Sequence, residues 1–268
     1  MIRPLNEHDH AATAALLAVM PAYTLYLLGN IEALGFGSSF CQYWGDFDDD
    51  GVLRGVINRY MSGWSVFGLP GADWAGLMSL LDAHSEVTRL QDNPGGIESA
   101  LGFLTRYRPL AVHDEELMTL KPDDFRPAQS LPGVIVRRAT LDDLPQLVSL
   151  YADAGDMSRS PAAVERPLRD SRVWVALAGA SLLSAALTNA ETGRLAMIGG
   201  VYTPPAERGQ GLSAMVCSAL CHDLLRAGKE PVLYWKYPPA GRLYARLGFR
   251  PIGRWRSVWL THNENVSS

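Results

Sequence analysis

The fold class the sequence predicts is α/β (α+β), with one architecture used twice. Three observations lead to it: an alternating order of strands and helices in the second half, a fainter copy of that order in the first, and a proline-rich seam between them. The seam is Lys121–Gly133, where Pro122, Pro127, Pro132 and Gly133 interrupt helical and strand periodicity alike. It divides the 268 residues into domains 1–121 and 134–268, joined by a linker, 122–133.

After the seam, Val134–Arg138 reads as a strand. Thr140, followed three residues on by Asp143, reads as the N-cap of a helix that carries Leu144, Leu147, Val148 and Tyr151 at helical spacing. A second helix is expected at 161–169, then strands at 173–178, 182–189 and 195–203 around a turn at Glu191-Thr192-Gly193. Helix 211–227, strand 232–236, helix 240–247 and a strand near 254–260 complete the order β-α-α-β-β-β-α-β-α-β. In the first half a strand at 2–5, helices at 11–20 and 25–34, strands near 40–44, 52–60 and 64–68, helix 73–83, strand 87–90, helix 96–105 and strand 116–120 repeat the rhythm. The likeness lies in the order of elements, with no residue-level repeat visible.

Composition narrows the function. With 47% hydrophobic and 19% charged residues, the chain has the make-up of a globular protein able to bury a full core. A net charge of −4 removes the clustered basic charge on which affinity for nucleic acid rests. Cys41, Cys217 and Cys221 are too few and too unevenly placed for a disulfide framework, and Met1–Glu7 lacks the pattern of an export signal, so a cytoplasmic protein is expected. The uncharged run Trp174–Ala190 alternates like a strand pair and contains Gly179 and Asn189, which favours a hairpin over a membrane span.

The stretch Gly199–Ser213 carries the chemistry. A strand ends in Pro204-Pro205, turns through Gly209 and Gly211, and opens a long helix. Glycines let backbone approach an anion closely, and the first helical turn offers unpaired N–H groups at the positive end of the dipole. A pyrophosphate suits such a cradle. A lone Gly-x-Gly would read better as an ordinary strand-to-helix turn.

Arg208-Gly209-Gln210-Gly211-Leu212-Ser213 resembles the pyrophosphate-binding motif of the GNAT superfamily of N-acetyltransferases, (Gln/Arg)-x-x-Gly-x-(Gly/Ala), with Ser213 where Gly or Ala is usual. Ala240-Gly241-Arg242-Leu243-Tyr244-Ala245-Arg246-Leu247-Gly248-Phe249 is similar to a second signature of that superfamily, A-x-x-L-Y-x-x-L-G-F. The resemblance covers Val134 to about Leu260 and fits the branch with a degenerate GNAT-like domain in front. It implies tandem GNAT-like domains, each a mixed, mostly antiparallel sheet flanked by helices. It implies acetyl-CoA, or another acyl-CoA, bound through Val201, Thr203, Arg208, Gly209, Gln210, Gly211, Leu212 and Ser213, with the pantetheine arm along the strand ending at Thr203. The acyl group would pass directly to an amine of a small molecule, amino acid or peptide, with Tyr244 donating a proton to the departing thiolate. Where relatives carry an Asn before the last helix, this chain has Lys236-Tyr237-Pro238-Pro239. The alternative is a CoA-binding sensor or interaction module without transfer.

No general base is legible. Glu191 falls on a turn, where solvation is expected, and alternation does not assign faces to Tyr202, Tyr234 or Lys236. Cys217, Cys221 and His222 lack zinc spacing and read as a buried helix face, and no metal site is expected. Asp46–Gly51 reads as a hairpin turn, because a calcium loop starting there would place Ile57 at its twelfth position. The first half has Phe67-Gly68-Leu69-Pro70-Gly71-Ala72-Asp73 where a cradle would sit, with neither Arg nor Gly-x-Gly, so it should not bind CoA in the usual way. Its aromatic residues, Tyr23, Tyr26, Tyr43, Trp44, Tyr60 and Trp64, have two readings, walls of the acceptor site at the domain junction or core, and most are expected in the core.

Overall fold

A computed structural model describes residues 1–152 and 154–263. The chain forms two compact units, Met1–Leu117 with Gly253 onward, and Met118–Ile252.

The first unit opens with β1 (Ile2–Pro4), α1 (His10–Leu17), α2 (Leu25–Leu34), β2 (Cys41–Phe47), β3 (Leu53–Tyr60) and β4 (Gly63–Gly68). It continues through α3 (Trp74–Asp82), β5 (Arg89–Asp92), α4 (Pro94–Leu101) and β6 (Tyr107–Thr119). Strands β1 to β4 pair antiparallel in sequence order, and β4 and β5 then pair in parallel through Gly63–Ser65 and Arg89–Gln91. The turn after β2 is held by Asp48, whose carboxylate accepts from Asp50 and Val52 N–H groups, as an Asp-Gly hairpin requires. One face packs Leu16, Leu17, Leu27 and Ile31 on Tyr43 and Val56, while the other packs Leu77, Leu81 and Ile97 on Ile57, Trp64 and Leu90.

The second unit contains β7 (Val134–Arg138), α5 (Leu144–Ala152), α6 (Pro161–Asp170), β8 (Val173–Ala178), β9 (Ser181–Glu191) and β10 (Leu195–Tyr202). α7 (Leu212–Arg226), β11 (Glu230–Trp235) and α8 (Pro238–Leu247) follow. Trp174–Ala190 is a hairpin that turns at Gly179. Strands β7 to β10 are antiparallel neighbours, and β10 pairs in parallel with β11. Alternation sends Val173, Val175 and Leu177 toward α5 and α6, and Ala176, Ala186 and Ala196 toward α7 and α8. α7 buries Val216, Leu220, Cys221 and Leu224 completely, each large aliphatic side chain contributing about 1.5–3 kcal/mol. α8 starts at Pro238, two residues before its expected start, because a proline in the first turn needs no N–H partner.

The last strand, β12 (Arg250–His262), starts in the second unit and continues into the first, pairing Arg256–Trp259 with Arg89–Asp92 of β5. Val258 and Leu260 join the first unit's core. The seam expected at Lys121–Gly133 therefore lies within the second unit's span, and the C-terminal strand is shared.

A residue-level repeat emerges in three dimensions. Arg3 forks onto Asp9 with two 2.7 Å bonds, and Asp9 accepts from Asn6 N–H at 3.0 Å. Arg137 forks onto Asp143 with two 2.7 Å bonds, and Asp143 accepts from Thr140 N–H at 2.8 Å. In both pairs the guanidinium hydrogen bond is the main influence that holds the carboxyl below the usual carboxylate range. Each clasp closes the turn from the first strand of its unit into the first helix.

Candidate functional site

The site begins where two parallel strands stop being neighbours. β10 and β11 are in register over three pairs, Leu195–Met197 against Glu230–Val232, and no further β10–β11 pair follows among the described residues. β10 then carries one extra residue between the pairs Gly199–Leu187 and Tyr202–Ala185. This bulge is possible because Gly200 takes φ +57°, a conformation that disfavours any Cβ. Tyr151 Oη donates to Gly200 O and fixes the bulge from the α5 side. The extra residue shifts side-chain parity: Ile198 and Val201 face the α7 cluster, whereas Tyr202 faces the α5 and α6 cluster. That settles the face of Tyr202, which alternation alone leaves open.

Past Tyr202 the chain turns through Pro205–Glu207 into the cradle. Gly209 and Gly211 adopt φ +81° and +87°, and a Cβ built on either would meet nothing within 4 Å. Gly211 is the N-cap of α7 and supplies no side-chain cap. Among the described residues, the N–H groups of Gly209 to Ala214 have no recorded acceptor, the first helical bond being Met215 N–H to Gly211 O at 3.1 Å. These unpaired donors, at the end of a 15-residue helix and beside open space, fit a phosphate group. The Leu212 side chain is buried, so its contribution to such a site is its backbone.

The polar side chains around the cradle brace it. Ser213 Oγ lies 2.6 Å from Thr203 Oγ1, which lies 2.8 Å from Ser184 Oγ, a hydroxyl chain from β9 to the first turn of α7. The hydroxyl at the position where Gly or Ala is usual is thus turned back onto Thr203. Arg208 Nε donates to Thr203 O at 3.0 Å, and its guanidinium lies 5.9 Å from the Tyr202 ring centre. The Thr203 carbonyl therefore already has one donor. Gln210 donates to Glu207 at 3.1 Å.

Tyr244 reaches the core from α8, packed edge-on against Phe249 with ring centres 5.8 Å apart. It is 7% exposed, and burial, assisted by the neighbouring Cys217 and Cys221, pushes its phenol well above the ordinary value. The hydroxyl is therefore a proton-bearing donor across the working range of pH. Burial also pushes the Cys217 thiol up to about 12, and both cysteines lie on the buried face of α7.

Glu191 differs from its expected solvated turn position. It ends β9 half-buried, accepts from Thr188 Oγ1 at 2.7 Å and from Arg172, and pairs with Lys229 at 3.2 Å. Its neighbour in register is Ala196, toward the opposite end of β10 from the cradle, so it is no base for chemistry there.

Arg159, which sequence reasoning did not single out, lies over the bulge. A Cβ on Gly200 would come 3.1 Å from Arg159 Nη2. Gly199-Gly200 inside a strand was the available signal, since paired glycines there mark a bulge or a close approach.

Residues 179–260 match the FR47-like protein family. The chain is 30% identical over 213 residues to an uncharacterized N-acetyltransferase in the mutA 5′ region of Streptomyces virginiae, covering 78% of this chain and 83% of that protein. A GCN5-related N-acetyltransferase from Sphaerobacter thermophilus superposes with a TM-score of 0.67 at 20% identity, over 98% of this chain and 95% of the other. A tandem GNAT protein from the clavulanic acid biosynthesis pathway superposes with a TM-score of 0.65 at 16% identity, over 98% of both chains.

Proposed function

This chain belongs to the GNAT superfamily of N-acetyltransferases, and we propose that its second unit transfers an acetyl or other short acyl group from acyl-CoA to the primary amine of a small molecule, amino acid or peptide. The observation that carries this reading is the uncapped start of α7, where the donors of Gly209 to Ala214 are unpaired beside the divergence of β10 and β11. Bound acyl-CoA supplies an acyl group activated as a thioester. The N–H groups from Gly209 to Ser213 hold the pyrophosphate, with Arg208 adding positive charge. Backbone groups of Val201 and Thr203 align the pantetheine arm, and a bulge N–H at Val201 stabilises charge on the acyl oxygen. The amine attacks the acyl carbon in a ternary complex; the C–N bond forms, the C–S bond breaks, and the amine loses its proton to solvent. Tyr244 donates a proton to the departing sulfur, and its phenolate regains one from solvent, which balances the proton released by the amine. A buried phenol is a weak acid, so its contribution is a hydrogen bond to the sulfur that becomes proton transfer only as the C–S bond breaks.

The first unit fits a degenerate repeat. Its parallel strand β4 is followed by a helix whose N-terminus Asp73 already caps, accepting from Gly76 N–H at 2.9 Å. A carboxylate there competes with phosphate for the same donors and repels it.

Thiol release from acetyl-CoA, measured against a panel of amines, amino acids and peptides, tests the reading. Release that requires an acceptor amine is expected. Saturable acetyl-CoA binding with no release on any acceptor would overturn transfer in favour of a CoA-binding module.

A further inference from the structure

The cradle lies at the start of α7, on one face of the second unit's sheet, and the bulge in β10 has a second face, lined by α5 and the segment before α6. Arg159 occupies that second face. Its Nη2 donates to Asn189 Oδ1 at 3.1 Å, its Cζ lies 5.5 Å from the Tyr151 ring centre, and the same Tyr151 fixes Gly200 O. Its Nε is fully buried without a hydrogen-bond partner. Among the described residues no carboxylate pairs with this guanidinium, in contrast to Arg3, Arg137, Arg172 and Arg256, each of which holds an acid.

A partly buried guanidinium with neutral partners and an unpaired N–H is an anion site short of its anion. The cradle cannot supply it, because the phosphate donors lie by α7 while Arg159 packs with Tyr151, a member of the α5 and α6 cluster. We infer that Arg159 binds the carboxylate of the acyl acceptor, so that the acceptor class is an amino acid rather than a simple amine. This rests on the transferase reading above for the word acceptor; the carboxylate site itself rests on Arg159 alone.

The spacing suits that chemistry. A carboxylate on the guanidinium fork sits about 2.8 Å from its nitrogens. An attacking amine must lie about 3–3.5 Å from an acyl carbon held at the bulge. The guanidinium lies directly over Gly200, so an amino group one or a few bonds from the carboxylate spans the interval. Tyr151 orients Arg159 through its ring face and the bulge through its hydroxyl, which couples acceptor position to acyl position.

Calorimetric titration of the whole protein, with and without CoA, tests this using matched pairs: tyrosine with tyramine, and leucine with isoamylamine. Expected is tighter binding of the acid by about 30-fold or more in at least one pair, corresponding to a charge-assisted bidentate contact. Arg159→Met should erase that difference while leaving amine affinity, CoA affinity and melting temperature close to wild type, and Arg159→Lys should recover part of it. Equal behaviour of acid and amine in every pair for the wild-type protein would overturn the inference, as would an undiminished difference in Arg159→Met. CoA affinity and thiol release, read in the same samples, report separately on the transferase reading.

Discussion

In the first unit the helix after the parallel strand β4 starts under Asp73, whose carboxylate accepts from Gly76 and whose own N–H is held by Asp46 at 2.8 Å. In the second unit the corresponding helix, after β10, starts at Gly211 with φ +87° and no side-chain cap. Both strands pair in parallel with the next strand over three residues, and both units open with the same Arg–Asp clasp. The shared features are those that build the sheet and its first turn. The differences lie around the start of the helix: the second unit has a bulge at Gly200 and unpaired donors at Gly209 to Ala214, whereas the first has an unbulged strand and a helix start capped by a carboxylate.

Gly211→Asp breaks the comparison most severely, because it gives the second helix the first helix's cap. A Cβ there meets nothing within 4 Å, so the protein should fold, at a strain cost of about 1 kcal/mol that an Asp at positive φ partly relieves. Acetyl-CoA affinity, read by calorimetry, should fall by about 100-fold or more from lost donors and added repulsion.

Tyr244→Phe comes next. It should lower kcat by about 10- to 100-fold while KM for acetyl-CoA changes little, the pattern of a group that acts in the transition state. Since burial raises the Tyr244 pKa, the donor form persists beyond pH 10, and the wild-type pH–rate profile should show no loss from this group below that value. Equal kcat in the variant removes Tyr244 from the reaction.

A smaller effect is expected where the units agree. Asp143→Ala and Asp9→Ala should each cost about 1–2 kcal/mol in denaturant unfolding, mainly through lost capping bonds, since the Arg side of each clasp is more than a third exposed. Both carboxyls have folded pKa values below their unfolded ones. Their stabilisation is therefore complete above about pH 4 and is lost as pH falls through the folded values, and each variant should show a shallower acid limb in melting temperature against pH.

Asp73→Gly is the mildest and the most pointed. It should cost about 1 kcal/mol or less of stability, glycine being a tolerable cap, and it should create no acetyl-CoA site, because Phe67–Ala72 supplies neither an arginine nor a second open glycine turn.

Most elements were legible because their apolar periods were clean: α2 and β8 fall on the residues their patterns imply. The turn into α7 was legible as well: Gly209 and Gly211 adopt positive φ directly before the helix, as a glycine turn there implies. Other features were hidden for identifiable reasons. β6 runs from Tyr107, although only its last residues alternate clearly, because Pro109 and a run of polar residues obscure the period. The Arg–Asp clasp spans six residues with different fillers in each unit, so the repeat appears only once the side chains meet. The bulge inserts one residue into β10 and inverts the faces beyond it, which a period-two reading cannot foresee. Arg159 sits in an irregular segment and gains meaning only from the glycine it covers.

The most direct test of the account is the stoichiometry of acetyl-CoA binding to the intact protein by calorimetric titration. One saturable site per chain, lost in Gly211→Asp and unchanged in Asp73→Gly, is the predicted result. Binding at two sites per chain, or one site that survives Gly211→Asp, would contradict the assignment of the open cradle to the second unit alone.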